Sequence, residues 1–378
     1  MKVNQSTKIK GVCYLSQEIS QDIEGNRRIT YSWPILMSVN VRDIFKVLYR
    51  KELKKEFEFH GLFYIPDHTF MFRCLQGSAK VFMADIRNPE MSVLNSNVAL
   101  ITAEWRNQIY LPAGVVWGLM ASEADTIVQI HTTDEFAFHN TAIMDPLDKR
   151  IEFTWDNAEF SIADDYQDMN RIGLDEIADL DVIQAAGSYI ARSGTMKCEA
   201  CNIPGIRFLS KEEDHSQTQE LFKKMYDYDE IAACGVKTSY SSHFEMHFPL
   251  KNTLRGFYIQ DAPWTQTLMF RCVKGSCKIV LLDMREQRPT FRQHTSFFLD
   301  HEKDAFLYFE AGIAYAALSL EDETELYCFS SNPPSEAMNV VVNAFDGELR
   351  SEWPEHGIIA STKVWTAPKI HELQHNYW

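Results

Sequence analysis

The chain has 378 residues, 45% of them hydrophobic and 24% charged, and it carries a formal net charge of −16. This composition excludes a disordered chain, and the length predicts two globular domains of about 150 residues each. The negative charge argues against nucleic acid as a partner. The N-terminus lacks the apolar run of a signal peptide, and no stretch approaches the roughly 18 apolar residues of a membrane span. We therefore expect a cytoplasmic protein with no membrane partner.

The first half is predicted to contain one helix and a series of short strands. Residues 41–57 have apolar residues at helical spacing and charges four positions apart, which predicts a helix. Residues 71–87, MFRCLQGSAKVFMADIR, place a Gly-Ser turn between two runs rich in β-branched and aromatic residues. This pattern predicts a β-hairpin.

A linker is predicted between the two halves. Residues 174–191 are amphipathic and acid-rich at their start, which predicts a second helix, and the segment 193–205 that follows carries glycine and proline. Cys198 and Cys201 form a single C-x-x-C in this segment. One such pair is half of a zinc site or a redox dithiol, and two ordinary linker thiols are the competing interpretation. The sequence leaves the role of these cysteines open.

The second half repeats the first. Residues 269–285 share Met-Phe-Arg-Cys, Gly-Ser, Lys and Asp-x-Arg with residues 71–87, without a gap and at an offset of 198. The same offset carries LPAGVVWGLM (111–120) onto FEAGIAYAAL (309–318). Two matches in one register predict the duplication of a whole domain. Further short strands with Gly or Asn-Pro-Pro punctuation predict an antiparallel sandwich or barrel in each copy.

Motif residues occur in both copies in the same order. In the second copy they are Leu254-Arg255-Gly256 with Gln260, Arg271-Cys272-Val273-Lys274-Gly275, Asp283-Met284-Arg285 with Pro289-Thr290-Phe291, Ala311-Gly312, and Leu326-Tyr327. In the first copy they are His60-Gly61-Leu62, Arg73-Cys74, Asp85-Ile86-Arg87 and Leu111-Pro112-Ala113-Gly114. With these motifs the second copy resembles the dTDP-4-dehydrorhamnose 3,5-epimerase family, and the first copy is similar to it through fewer residues.

The resemblance implies a fold. It predicts an all-β chain of two tandem cupin domains, each a jelly-roll β-sandwich, with a degenerate N-terminal copy at 1–166 and a C-terminal copy at 203–378. A short helical linker, 167–202, would carry the C-x-x-C. Because the family is usually a homodimer, the resemblance also implies a pseudo-dimer within one chain. Further oligomerisation stays open.

The resemblance also implies a chemistry that this chain has altered. The family moves the proton on a carbon beside a ketone, with a histidine base oriented by an aspartate and with a tyrosine acid. The matching positions in the first and second copies are Phe63 and Tyr258 for the base, Asp164 and Val364 for the aspartate, and Gln129 and Tyr327 for the tyrosine. Neither copy keeps the histidine–aspartate dyad. A phenol, with an ordinary pKa of about 10, is a poor base at neutral pH.

The candidate site residues lie in the second copy. By resemblance, Tyr258 and Tyr327 are the catalytic candidates, and the ligand-binding candidates are Arg255, Arg271, Tyr315 and Gln260. The arginines would clamp a diphosphate, and a structural pairing with an acid is the alternative for each. We expect the three tyrosines to converge on one cavity. No H-x-H cupin metal set occurs in either copy, so no metal or other cofactor is predicted.

Three functions are compatible with the sequence, which does not choose among them. The first is a divergent epimerase-like protein that acts on or binds a 4-keto-hexose nucleotide or a related carbonyl compound, with its working site in the C-terminal cupin. The second is a non-catalytic tandem cupin that serves as a binding module or scaffold in a sugar or secondary-metabolite pathway. A new chemistry on a reshaped pocket is a third. Whether the chain is an enzyme stays open, and an isomerase is implied if it is one. A small-molecule ligand is expected for the epimerase-like protein and for the binding module.

Overall fold

The computed structural model describes residues 2–6, 8–16, 27–38, 40–88, 93–136, 142–155, 160–166, 171–176, 196–211 and 222–373. The helix predicted over 174–191 lies outside these ranges from residue 177 onward. Within the described ranges, no helix is long and apolar enough to cross a membrane.

Most of the regular structure is β-strand. The first half contributes β1 (Lys2–Gln5), β2 (Cys13–Ser16), β3 (Arg27–Ser32), β4 (Val47–Leu53), β5 (Glu58–Tyr64), β6 (Phe70–Gln76), β7 (Ser78–Asp85), β8 (Ser96–Thr102), β9 (Gln108–Leu111), β10 (Val115–Ala121), β11 (Thr126–Thr132), β12 (Ala142–Met144), β13 (Ser161–Ile162) and β14 (Arg171–Ile172). The second half contributes β15 (Met196–Ala200), β16 (Ile206–Lys211), β17 (Lys223–Asp227), β18 (Ser242–Phe248), β19 (Leu254–Gln260), β20 (Leu268–Lys274), β21 (Ser276–Asp283), β22 (His294–Asp300), β23 (Ala305–Phe309), β24 (Ile313–Ser319), β25 (Thr324–Ser330) and β26 (Asn339–Val341).

The helices are short. They are α1 (Trp33–Ser38), α2 (Tyr228–Ala233) and α3 (Thr362–Trp365), with 3₁₀ turns at Asp164–Tyr166, Glu336–Met338, Gly347–Glu352 and Ile370–Glu372. The predicted all-β architecture is therefore confirmed.

The N-terminal unit is a sandwich of two sheets. It comprises residues 1–19, 39–192 and 216–229. One sheet has the strand order β1-β2-β9-β6-β11-β4-β17, and the other has the order β14-β12-β5-β10-β7-β8 with β13 beside β5. Side chains of both sheets that point between them form one apolar interior. A second cluster covers the opposite face of the β5-containing sheet.

The C-terminal unit repeats this plan. It comprises residues 20–38, 193–215 and 230–378. Its sheets have the orders β15-β16-β23-β20-β25-β18-β3 and β22-β21-β24-β19-β26. The interior again lies between the sheets, and the C-terminal segment covers the outer face of the β19-containing sheet. The two units therefore have equivalent strands in equivalent places, as the predicted duplication requires.

Each unit includes a segment from the other half of the sequence. Strand β17 pairs with β4 at the edge of the N-terminal unit, and β3 pairs with β18 at the edge of the C-terminal unit. Phe222, just before β17, enters the N-terminal interior and is 5% exposed. Its ring centroid lies 5.9 Å from that of Phe63 and 6.1 Å from that of Phe136. The N-terminal core is therefore completed by residues far along the chain.

The helix predicted at 41–57 is wrong. Residues 47–53 form strand β4, which pairs with β11 on one side and β17 on the other. Val47, Tyr49 and Leu53 point into the N-terminal interior at the two-residue period of a strand. The apolar spacing fits a helix locally, but two neighbouring strands supply the backbone hydrogen bonds.

The strands of the two predicted hairpins are present, but the strands of each hairpin do not pair with each other. Strands β6 and β7 lie in different sheets, as do β20 and β21. The turn glycines Gly77 and Gly275 have φ of +71° and +66°, and a Cβ on Gly77 would lie 2.4 Å from Thr126 Oγ1. A turn sequence predicts that the chain changes direction there. It does not predict whether the two flanking strands pair with each other or with other strands.

We expect Phe222→Ala to destabilise the N-terminal unit by about 3 to 5 kcal/mol, since it removes a buried ring from the core. Urea unfolding followed by tryptophan fluorescence measures this, because Trp117 lies in the same core. Phe298→Ala is the matched control, as the Phe298 side chain is 64% exposed. Equal unfolding midpoints for the two variants would contradict the role given to Phe222.

Candidate functional site

The motif glycine of β19 sets which side chains enter the C-terminal interior. Gly256 has φ of +99°, and a Cβ there would lie 2.4 Å from the carbonyl oxygen of Tyr315 on β24. The pairing register shifts between Gly256 and Tyr258. As a result, Arg255 lies opposite Ala317 and Tyr258 lies opposite Tyr315, and both of those partners face the interior.

Tyr258 and Tyr315 line a small cavity at one end of this interior. Their ring centroids are 6.0 Å apart and the rings are inclined by 68°. Gln260, Gln266 and Asn339 add carboxamides, with Leu268, Ile259 and Ile313 as apolar lining. The cavity has room for about one water molecule. None of the described residues that line it is charged, so its chemistry is that of neutral hydrogen-bond donors and acceptors.

The carboxamides of the cavity are held by hydrogen bonds. The Ser335 backbone N–H donates to Gln260 Oε1 at 3.2 Å. Gln266 Nε2 donates to Ser330 Oγ and to the Asn332 carbonyl oxygen, each at 2.8 Å. These contacts orient both amides.

The two candidate arginines do not line the cavity. Arg255 is buried in the interior, where its Nη2 donates to the His247 carbonyl oxygen at 2.8 Å and its guanidinium lies 4.8 Å from the Phe248 ring centroid. Arg271 lies on the outer face of its sheet, where it forms an ion pair with Asp304. Burial lowers the pKa of Arg271 despite Asp304. The structural pairing is therefore the interpretation that the contacts of Arg271 favour.

Tyr327 lies on the opposite face of its sheet from the cavity. Its neighbours on β25, Leu326 and Cys328, face the interior, so Tyr327 points outward. Its hydroxyl is 2.8 Å from Thr30 Oγ1, and its ring packs against Phe329 with centroids 5.1 Å apart. The structure brings Tyr258 and Tyr315 together and places Tyr327 elsewhere, which corrects the expectation that the three tyrosines converge.

The equivalent region of the N-terminal unit is filled with aromatic rings. Phe63, at the base position, packs against Trp117 with ring centroids 4.6 Å apart. Phe70 lies 5.2 Å from Trp117, and Phe222 lies 6.4 Å from it. Rings therefore occupy the space where the C-terminal unit has its cavity.

The positions matched to the family aspartate and tyrosine do not face either interior. Asp164 is exposed, and Val364 is buried in the cluster on the outer face of the β19-containing sheet. Gln129 lies between the inward-facing Val128 and Ile130, so it points outward. Neither unit places a carboxylate from these positions beside Phe63 or Tyr258.

The N-terminal interior holds two further polar residues, the motif residue His60 and Lys51, of which the sequence indicated only His60. His60 Nδ1 is 3.1 Å from the Tyr166 hydroxyl, and His60 Nε2 is 3.4 Å from a Glu58 carboxylate oxygen. Lys51 is 4% exposed, with its Nζ 5.1 Å from the Phe222 ring centroid. The inward direction of Lys51 follows from the alternation of β4, which a helix assignment for residues 41–57 conceals.

The environment of His60 keeps its imidazole neutral. Burial, together with the positive charges of Lys51 and Lys55, lowers the pKa of His60 to about 3. A neutral imidazole beside a phenol can share a single hydrogen bond, whichever tautomer is present. In the described part of the chain, no group of three histidine, cysteine or acidic side chains is arranged to hold a metal ion.

Comparisons with known proteins agree on one family. The sequence model for dTDP-4-dehydrorhamnose 3,5-epimerase matches the chain twice, over residues 6–171 and 200–372. The epimerase of that name from Mycolicibacterium smegmatis is 30% identical over 125 residues, which are 33% of this chain and 61% of that protein. The dTDP-4-dehydro-6-deoxyglucose 3-epimerase of Streptomyces bikiniensis is 28% identical over 137 residues, 36% of this chain and 65% of that protein. The chain thus spans less than two thirds of each of these relatives.

A solved structure is similar over a comparable stretch. It is the dTDP-4-dehydrorhamnose 3,5-epimerase of Bacillus anthracis with TDP and PPi bound, at 24% identity and a TM-score of 0.42. The match covers 46% of this chain and 99% of that one.

We expect acid to destabilise the fold through His60. Its pKa is about 3 when folded against an ordinary 6.5, so the unfolded chain takes up the proton first as the pH falls. The stabilisation is complete above about pH 6.5 and is lost progressively below it, by about 2 kcal/mol at pH 5. Urea unfolding of the native chain and of His60→Gln at pH 7 and about pH 5 measures this difference. The variant should lose less stability than the native chain, and the exposed His356→Gln should behave as native. Equal losses in all three proteins would contradict the assignment.

Proposed function

The chain belongs to the dTDP-4-dehydrorhamnose 3,5-epimerase family as a tandem duplication, and on that premise we propose that it binds a 4-keto-hexose nucleotide, or a related carbonyl compound, without epimerising it. The binding site is the C-terminal cavity, which receives the sugar. The observation that carries the proposal is the neutral lining of this cavity by Tyr258, Tyr315 and three carboxamide side chains.

The lining suits the groups of a sugar. Phenol hydroxyls and carboxamides both donate and accept hydrogen bonds, as hydroxyl and carbonyl groups of a hexose require. Trp264 is 40% exposed on the loop between β19 and β20, two residues before Gln266, and an exposed aromatic ring can pack on the apolar face of a sugar. Since the cavity has room for about one water molecule, side chains that line it must move to admit a ring.

The absence of epimerisation in this proposal rests on the missing proton acceptor. Epimerisation needs a group that removes the proton from the carbon beside the ketone. No histidine, lysine or carboxylate is present among the described residues that line the cavity. Phe63 and Tyr258 stand at the base position, and Asp164 and Val364 do not accompany them into either interior. These features support binding without turnover.

We expect a 4-keto-6-deoxyhexose linked to one of dTDP, UDP, GDP or CDP to stabilise the full chain. At 100 times its dissociation constant, such a ligand adds about 2.7 kcal/mol and raises the melting temperature. Differential scanning fluorimetry with each nucleotide sugar, and with the nucleotide alone, measures the shift. If none of the sugars changed the melting temperature, binding would be disproved.

The ligand that binds is then incubated with the protein in deuterated water, and deuterium gained at the carbons beside the ketone would overturn the non-epimerising part of the proposal.

We expect Tyr258→Phe and Tyr315→Phe each to weaken the ligand found in that screen by about fivefold, since each loses one hydrogen bond worth about 1 kcal/mol. Tyr327→Phe is the matched control, because it removes a phenol hydroxyl from the same unit but from the outer face of the sheet. Isothermal titration calorimetry gives the three affinities. A loss confined to Tyr327→Phe would move the site away from the cavity.

A further inference from the structure

The C-x-x-C cysteines do not form a pair in the structure. Cys198 lies on β15, opposite Leu209 of β16, and its side chain is exposed on the outer face of the sheet. Cys201 turns the other way and packs against the C-terminal interior. Its thiol donates to the Ile203 carbonyl oxygen at 3.4 Å. Residues three apart on an extended strand point to opposite faces, so the spacing that suggests a dithiol keeps these two thiols apart.

A different cysteine approaches Cys198. Cys234 follows the last residue of α2, and its Sγ lies 3.6 Å from the carbonyl oxygen of Met196, two residues before Cys198 on β15. Arg207 Nη1 lies 4.0 Å from Cys198 Sγ and donates to the Cys234 carbonyl oxygen at 3.1 Å. One guanidinium group therefore contacts both cysteine residues on the outer face of the sheet.

The two thiols differ in accessibility. Cys198 is exposed beside the positive charge of Arg207, which is the setting in which cysteines react with oxidants. Cys234 is partly buried, and burial raises the pKa of its thiol, with the nearby Cys198 acting in the same direction. Cys198 is thus suited to attack a disulfide substrate first, and Cys234 is suited to attack the resulting mixed disulfide.

We propose that Cys198 and Cys234 form a thiol–disulfide exchange site whose substrate is a small anionic disulfide such as glutathione disulfide, with Arg207 beside its carboxylates. The Cys198 thiolate attacks one sulfur of glutathione disulfide, which breaks the S–S bond and releases one glutathione as a thiol. Cys234 loses its proton to water and attacks Cys198 Sγ in the mixed disulfide, and the second glutathione leaves. The protein loses two protons and two electrons, and one disulfide molecule becomes two thiols.

The product would be a covalent link between β15 and the end of α2. Strand β15 is the edge strand of its sheet and pairs with β16 alone among the described strands. A link to Cys234 fixes this edge to the segment that follows α2. The C-x-x-C motif thereby supplies one reactive thiol, and the second comes from a position 36 residues later in the sequence.

The test uses the full chain incubated with glutathione disulfide, blocked with an alkylating agent and digested with trypsin without reduction. The two peptides of interest are residues 198–207, which contain both Cys198 and Cys201, and residues 225–237, which contain Cys234. Mass spectrometry should find them linked, with two of the eight cysteines protected from alkylation. Cys201→Ser should give the same linked peptide, since Cys201 takes no part.

Cys198→Ser and Cys234→Ser should each abolish the link, and Cys234→Ser should instead retain glutathione on Cys198. Arg207→Gln removes the tryptic site at residue 207, so the first peptide becomes residues 198–211. This variant should slow formation of the link severalfold while the same two cysteines become joined. Alkylation of the native chain in urea controls for the total number of thiols. A bond between Cys198 and Cys201, or eight alkylated thiols after incubation with glutathione disulfide, would overturn the proposal.

Discussion

The close approach of two strands at a glycine determines what each interior contains. A Cβ on Gly61 would lie 2.9 Å from the Trp117 carbonyl oxygen, and a Cβ on Gly256 would lie 2.4 Å from that of Tyr315. The register shift beside each glycine turns two side chains of the same strand inward, His60 with Phe63 and Arg255 with Tyr258. Both the aromatic filling of the N-terminal unit and the cavity of the C-terminal unit therefore depend on a position where only a hydrogen atom fits.

Among the described residues, the two interiors carry a cationic side chain at positions that are not equivalent: Lys51 in the N-terminal unit and Arg255 in the C-terminal unit. Lys51 lies opposite Val128, and Met246 lies opposite Leu326. Val128 and Leu326 are separated by the repeat offset of 198, so Lys51 and Met246 occupy the same position in the two copies. His60 lies opposite Leu119 and Arg255 lies opposite Ala317, and these two partners are also 198 residues apart. His60 and Arg255 therefore occupy the same position in the two copies. The cation lies on β4 in the N-terminal unit and on β19 in the C-terminal unit. Two charges in one apolar interior would repel, and the neutral His60 beside Lys51 avoids that cost.

The two copies differ at the position that the family resemblance matches to a histidine, which is Phe63 in the first copy and Tyr258 in the second. In the N-terminal unit, Phe222 precedes β17 and packs with Phe63, so that aromatic rings fill the space equivalent to the C-terminal cavity. In the C-terminal unit the position equivalent to Phe63 is Tyr258, and the space beside it stays lined with phenols and amides. A duplicated chain can change one copy without changing the other, because each copy has its own sequence.

The sequence by itself determined the duplication, the all-β class and the family, since these follow from periodic strand patterns and from motifs that repeat at one offset. It also identified Tyr258, Tyr315 and Gln260 as neighbours, through the family resemblance. Only the tertiary structure decided that β4 is a strand, because its hydrogen bonds come from β11 and from the distant β17. It alone separated Tyr327 and Arg271 from the cavity, since one residue of register moves a side chain to the other face. The proximity of Cys234 to Cys198 likewise depends on where α2 ends against β15, which local sequence does not specify.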